Sequence, residues 1–322
     1  MLKIVATVLG LLLGAYILIA LVILLIGERR PYPRASTTRF IRAAGWKRVL
    51  DPRSFLHGYI YFRWLKQYVA LGLNLSRRVP VLGPLIVDRL IRPAYHAKTV
   101  TVDQAAAIVT IDRSIPLQDL GEQIIPYPTA RDFVIGPATD FAVMACACRA
   151  TRENPCQPTQ VCIITGQPFV DFVLEHSPRL SRRITREEAL QIIREEHDRG
   201  HVQSVWFKDA TLGRIWAICN CCKCCCAGME FMNHFGIKFM CSSGFIPETD
   251  YDLCNACFKC VARCPFNAME KDEGRPRLVW DKCMGCGVCV DACPQSALRL
   301  VRDEKKGVPL DVRMMGEAPS VL

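Results

Sequence analysis

The longest apolar run is residues 4–27, IVATVLGLLLGAYILIALVILLIG, uncharged throughout and apolar apart from Tyr16. As a helix it measures about 36 Å, enough to cross a hydrocarbon layer of about 30 Å with some tilt. A cleaved signal peptide has an apolar region of only about 7–15 residues, closed by a small-x-small site. This run is longer and passes directly into Glu28-Arg29-Arg30-Pro31. Residues 1–28 are therefore expected to form a retained single-span transmembrane anchor. Lys3 precedes the run, whereas Arg29, Arg30, Arg34, Arg39, Arg42, Lys47 and Arg48 follow it. The positive-inside rule then puts the bulk of the chain in the cytoplasm, on a cell membrane.

Residues 29–98 interleave aromatic and basic positions. Phe55, Tyr59, Tyr61, Phe62, Trp64 and Tyr68 alternate with Arg53, Arg63 and Lys66. An amphipathic helix here has two destinations for its rings. One is the lipid headgroup level, with the cations toward anionic lipid. The other is ordinary packing against the soluble part of the chain. Pro80, Pro84 and Pro93 keep any helix between Val79 and Pro93 short.

From residue 99 to 245 the pattern becomes a soluble α/β mixture. Asp103 is a candidate cap for a short helix over Gln104–Val109. Phe133-Val134-Ile135 and Phe141-Ala142-Val143-Met144 are apolar runs leading into the first cysteines. Thr185-Arg186-Glu187-Glu188 is a capping box for a helix with Leu190, Ile193 and His197 on one face, stopped by Gly200. Val202–Phe207 and Arg214–Ile218 read as strands around an Asp209–Gly213 turn, the second delivering the chain into a cysteine tract. Residues 303–322, with Gly307, Pro309, Gly316 and Pro319, read as an extended tail. His197 and His201 are four apart, but H-E-x-x-H is absent and Gly200 falls between them, so both are expected to be structural or surface residues. There is no Walker loop, nucleophile elbow or dinucleotide fingerprint.

The chain has 19 cysteines, and their clustering excludes a disulfide scaffold. Adjacent thiols such as Cys221-Cys222 suit soft-metal chemistry better than pairing. Cys254, Cys257, Cys260 and Cys264 are followed by Pro265, and Cys283, Cys286, Cys289 and Cys293 by Pro294, each position recurring at an offset of 29 residues. Zinc would call for two separated pairs, not three close cysteines with a trailing Cys-Pro, twice. Residues 246–302 resemble the bacterial two-cluster 2[4Fe–4S] ferredoxins. In such a run the fourth cysteine ligates the other cluster. Cys254, Cys257, Cys260 and Cys293 are then expected to hold one [4Fe–4S] cluster, and Cys283, Cys286, Cys289 and Cys264 the second.

Two cysteine groups lie upstream. Cys146, Cys148, Cys156 and Cys162, with Pro155 and Pro158 bending the chain, suffice for a third cluster. Cys219, Cys221, Cys222, Cys224, Cys225 and Cys226 are too many for one cubane, and four of them are expected to hold a fourth cluster. In a competing arrangement the two segments converge on shared clusters. Cys241, isolated beside Ser242 and Ser243, is expected to be a non-ligand. The C-x-C-R segment, the I-C-N-C-C-x-C-C-C tract and the ferredoxin repeat together resemble multi-cluster ferredoxin-like proteins of anaerobic bacteria over residues 98–302. That resemblance implies iron–sulfur binding and electron transfer. The doubled cysteines are also similar to the CCG segments of heterodisulfide reductase-type subunits, without their long gaps.

The formal net charge of +10 resolves into a surplus of twelve Lys/Arg over Asp/Glu in residues 28–98 and −2 over the rest. Thiolate-bound clusters make the remainder more acidic still, so the loaded chain is expected to be bipolar. Nucleic acid is a poor explanation of a basic stretch that directly follows a membrane segment. The expected fold is α+β: an N-terminal transmembrane helix, an α/β cysteine-rich cluster-binding domain and a C-terminal 2[4Fe–4S] ferredoxin-like module. The expected function is a membrane-anchored, anaerobic electron carrier within a redox complex, linking a soluble flavoprotein or ferredoxin to a membrane partner. Two other readings stand beside it. One is a reductase subunit whose 219–226 tract holds a substrate-reducing cluster, and the other is a cluster-assembly protein.

Overall fold

The computed structural model describes residues 2–28, 33–92, 96–116, 124, 134–136, 139–208 and 211–315. The expectations for Arg29, Arg30, Pro31, Pro93, Phe133, Asp209, Gly316 and Pro319 lie outside these residues. Helix α1 (Leu2–Gly27) is unbroken. Among the described residues it is the one helix long and apolar enough to cross a membrane. Leu11 and Ile26 are 70% and 69% exposed, whereas Ile23 and Leu24 pack against the protein core.

Helices α2 (Ala35–Val49), α3 (His57–Arg63), α4 (Leu65–Arg78) and α5 (Leu82–Ile86) follow, with π-turns at Pro52–Leu56 and Val87–Ile91. The rings of Phe55, Tyr59, Tyr61 and Phe62 are buried. They do not stand at headgroup level. Phe62 stacks on Phe169 with centroids 5.3 Å apart and meets Trp216 edge-on at 5.1 Å. Exposed apolar side chains of this segment include Trp46, Leu71, Val81, Leu82, Leu85 and Leu90 instead.

The junction between α1 and the basic helical segment α2–α5 that follows it, here called the foot, is fixed by a buried carboxylate. Glu28 accepts hydrogen bonds from Arg34 N at 2.9 Å, Thr37 Oγ1 at 2.6 Å and Tyr59 Oη at 2.9 Å. Three donors offset the cost of desolvating the acid. Arg63 Nε donates to Gly27 O at 2.7 Å, satisfying a helix-end carbonyl.

The soluble part is built on β1 (His96–Thr99), β4 (Phe141–Ala145), β5 (Gln160–Thr165), β6 (Ser181–Ile184), β7 (Val202–Phe207), β8 (Ala217–Cys221) and β9 (Met240–Cys241), with a small ribbon of β2 (Ile115–Pro116) and β3 (Val134–Ile135). The seven strands form one sheet in the order β6-β4-β5-β8-β7-β1-β9, antiparallel except for the β1–β9 pair.

Strand alternation sends successive residues to opposite faces, and here both faces are covered. Phe141, Val143, Ile163, Val205, Phe207 and Ile218 pack beneath α6 (Val102–Thr110) and the long helix Arg186–Asp198. Ala142, Met144, Ile164, Trp206, Ala217 and Cys221 face the other way, toward the foot and the ferredoxin module. The thiols of β5 and β8 therefore lie on the foot side of the sheet.

Several local expectations shift by a residue or more. Thr101, not Asp103, caps α6: its Oγ1 accepts from Gln104 N at 3.3 Å, and Gln104 Oε1 accepts from Thr101 N at 3.0 Å. Asp103 sits in the first turn, where its charge suits the helix N-terminus. The strand expected over Arg214–Ile218 is Ala217–Cys221, because its ladder with β7 runs from Trp206↔Ala217 to Val202↔Cys221 and carries the sheet into the cysteines. Thr185 caps its helix as expected, accepting from Glu188 N at 3.2 Å. The tail is more than an extension, since Leu310 and Val312 are buried in the second core.

Candidate metal centres

The ferredoxin repeat folds as two superposed loops. Strands β10 (Phe245–Thr249) and β13 (Leu298–Arg302) pair along its edge, and β11 (Met269–Asp272) and β12 (Arg275–Leu278) form its hairpin. Backbone conformation repeats at the same offset as the cysteines. Ala256 and Gly285 have φ of 54° and 62°, Phe258 and Gly287 58° and 87°, and Asn267 and Ser296 52° and 49°. Left-handed residues between the cysteines turn successive thiols toward a common centre.

Two small cavities result. Cys254, Cys257, Cys260 and Cys293 line one, and Cys264, Cys283, Cys286 and Cys289 line the other. The first three cysteines of each run thus meet the last cysteine of the opposite run. Backbone amides aim at the sulfurs: Ala268 N to Cys264 Sγ at 3.2 Å, Ala297 N to Cys293 Sγ at 3.3 Å and Gly285 N to Cys283 Sγ at 3.4 Å. Such donors favour the charged thiolate, while burial opposes it and pushes Cys286 up to about 12. Metal binding must therefore displace protons from these thiols. Four convergent thiols, amide donors and apolar walls fit a cubane cluster.

Upstream, the structure regroups the thiols. Cys156 is separated from Cys146, Cys148 and Cys162, the set expected from spacing to share a cluster with it. Pro155 and Pro158 carry it out on a loop to the cysteine tract, where its sulfur lies within 4.8 Å of those of Cys222 and Cys224. Cys156 N approaches Cys225 Sγ at 3.4 Å, and the sulfurs of Cys224 and Cys225 are 3.5 Å apart. Cys146, Cys148 and Cys162 instead share an apolar cavity of about 100 Å³ with Cys219, Cys221 and Cys226, and Cys222 of the other group reaches its wall as well. This is the interleaved arrangement that spacing alone left open. Tyr61, Tyr68 and Leu65 of the foot wall the same cavity. Cys241 lies in β9, outside both groups.

Buried charges tie the two upstream groups together. Arg149, fully buried, donates to Glu196 Oε2 at 2.6 Å, Asn220 O at 3.2 Å and the Pro158 carbonyl. Its cation is close enough to Cys146 and Cys222 to interact with both. Desolvation of Glu196 is outweighed by its bonds from His201 and Arg149, which hold the carboxyl below the usual range. Arg152 donates to Cys225 O at 2.7 Å and to Glu230 Oε2 at 2.7 Å, and Arg77 of the foot binds the same Glu230 at 2.7 Å through each of two nitrogens.

Arg149 closes the C-x-C-R motif, whose spacing alone assigns the arginine no role. Sequence spacing also puts His201 among surface or structural residues. His201 is buried, with Nδ1 2.7 Å from Glu196 Oε2 and Nε2 3.7 Å from Cys156 Sγ. His197 faces elsewhere, 2.6 Å from Asp291 Oδ2. Gly200, at φ +85°, separates the two imidazoles.

A 4Fe-4S dicluster domain model matches residues 246–294. A stretch of 32 residues is 53% identical to a ferredoxin of Pyrobaculum islandicum, covering 10% of this chain and 30% of that protein. The match thus spans under a third of that relative's length. Residues 246–294 form a ferredoxin-like iron–sulfur domain within a chain of mixed helix and strand.

Proposed function

We propose that this protein is a membrane-anchored, multi-cluster electron carrier, passing electrons between a soluble redox partner and a partner in the membrane. The observation that carries the reading is the succession of thiol groups from foot to ferredoxin module. The cysteine-lined cavity under β5 and β8 is walled by Tyr61, Leu65 and Tyr68 of the foot. The Cys156 group follows, and Lys223 within it donates to Cys264 O, at the module, at 3.2 Å.

When bound, iron–sulfur clusters supply one-electron transfer over a wide range of potentials. The residues assigned to the module's two clusters are Cys254, Cys257, Cys260 and Cys293, and Cys264, Cys283, Cys286 and Cys289. Cys156, Cys222, Cys224 and Cys225 make a third four-thiol set. The amides of Ala268, Gly285 and Ala297 donate to cysteine sulfur, stabilising added negative charge there. Apolar walls exclude water. Helix α1 anchors the chain, with the basic foot on the cytoplasmic side.

The test is anaerobic purification followed by iron and sulfide analysis and EPR of the reduced protein. Iron well above about eight per chain, the content of two cubanes, is expected. Iron at that level, with ferredoxin-type signals alone, would refute the upstream centres. Extraction from membranes by alkaline carbonate would refute the anchor.

A further inference from the structure

We infer that Cys146, Cys148, Cys162, Cys219, Cys221 and Cys226 together hold one iron–sulfur centre bound by more than four cysteines. The inference rests on the multi-cluster reading and goes beyond the four-cysteine cubanes it invokes.

The six thiols form a closed circuit. Cys146 contacts Cys148 and Cys162, Cys148 contacts Cys226, and Cys226 contacts Cys221. Cys221 contacts Cys219, and Cys219 closes the circuit on Cys162 with the sulfurs 4.0 Å apart. All six line one cavity; Cys222 also reaches its wall, but its sulfur groups with those of Cys156 and Cys224. Each half of the circuit is a C-x-C pair plus one further cysteine. Cys146 and Cys148 enter the short helix Ala147–Ala150, with Cys162 beside them on β5. Cys219 and Cys221 are alternate residues of β8, on one face, and Cys226 caps the helix Ala227–Phe235. The β5–β8 pairing, Ile163↔Ile218, brings the halves together.

No subset of four stands out. Any choice of four leaves two thiols wedged between ligand sulfurs. Among the described residues, Ser204 Oγ lies 3.4 Å from Cys221 Sγ. The described cavity wall carries no cationic side chain, and Arg149, whose cation interacts with Cys146 and Cys162, is a single charge against six thiols. Six thiolates packed this closely need metal cations to offset their repulsion. The bland alternative is a cubane on four of the six, with two inert buried thiols.

The experiment uses the full chain, anaerobically purified, in six single Cys→Ala variants and the six matching Cys→Ser variants. Serine keeps the shape where alanine unfolds the site, and its oxygen alters the signal only of iron it replaces sulfur on. Mössbauer and EPR spectra report the upstream centre separately from the ferredoxin pair. The expected result is that at least five of the six positions alter the same upstream signal while the ferredoxin signals stay. Two or more silent positions, with wild-type iron content, would overturn the inference and leave the multi-cluster reading standing. Wild-type iron at about eight per chain would overturn both.

Discussion

Lys223 Nζ lies 3.2 Å from the carbonyl oxygen of Cys264 and 2.7 Å from Asn267 Oδ1. One side chain of the cysteine tract thus reaches the Cys-Pro turn of the ferredoxin repeat. Asn233 Nδ2 adds a bond to Pro265 O at 3.1 Å, and Arg263 Nη1 one to Arg199 O at 2.9 Å. The module is docked on the sheet domain at the ligand-bearing turn itself.

Replacing Lys223 with Met keeps the stem and removes the donor. At a partly exposed contact the loss is about 1 kcal/mol. Hydrogen exchange over residues 264–268 should speed up about fivefold, in line with that energy, with iron content unchanged. Unaltered exchange would show that the contact contributes nothing to docking.

How much of this was legible in the sequence follows from what spacing encodes. Three cysteines two residues apart are a local loop, so the crossed grouping of Cys254–Cys260 with Cys293 follows from a rule about such runs. The upstream partition is tertiary: Cys156 reaches Cys222 only because the β5–β8 ladder sets the two segments side by side. Spacing favoured Cys156 with its chain neighbours for lack of that information. The foot shows a related limit. Amphipathic spacing identifies an apolar face but not the phase it enters, and Tyr59 and Phe62 enter protein.

The Arg149–Glu196 pair is buried on both sides, at 0% and 1% exposure. Removing only the arginine leaves the buried carboxylate with Arg199, at 2.8 Å, and His201, a loss on the order of 1.5–3 kcal/mol. Arg149→Met should lower the thermal midpoint steeply, whereas Arg149→Met with Glu196→Leu should recover most of it. Thermal unfolding of the anaerobic protein followed by near-UV circular dichroism checks this. Equal loss in the single and double variants would mean that the carbonyl bonds to Pro158 and Asn220, not the ion pair, dominate.

Ala256 and Gly285 occupy equivalent left-handed positions, so alanine is compatible with that backbone in the first loop. A Cβ on Gly285, however, would stand 2.1 Å from Phe245 O and 2.4 Å from Ser243 Oγ. Backbone cannot yield as a flexible side chain does. Gly285→Ala should cost ~1–3 kcal/mol of overpacking and lower the iron retained by the Cys283 loop. Ala256→Gly should leave iron content and spectrum unchanged. Matching effects at the two positions would locate the penalty in φ rather than in the contact with β10.

His176 lies against the junction of α1 with the foot, its Nε2 2.9 Å from Thr37 Oγ1 and 3.6 Å from Glu28 Oε1. Burial lowers its pKa to about 4, outweighing the pull of Glu28. The unfolded chain binds this proton near 6.5, so between about pH 6.5 and 4 the unfolded state holds more protons than the native one. Stability from this group is fully present above about pH 6.5 and declines as the pH falls toward 4. The wild-type midpoint should therefore hold steady from pH 8 to 7 and drop toward pH 5.5, with a smaller drop in His176→Gln, which cannot protonate. Protonation strikes where Glu28, Thr37 and Tyr59 join α1 to the foot, so loosening should begin there. Proteolysis between residues 28 and 63 at pH 5.5, ahead of cleavage in the ferredoxin module, is the expected sign. An imidazole titrating near 6.5 in the folded protein would remove the basis for this pH dependence.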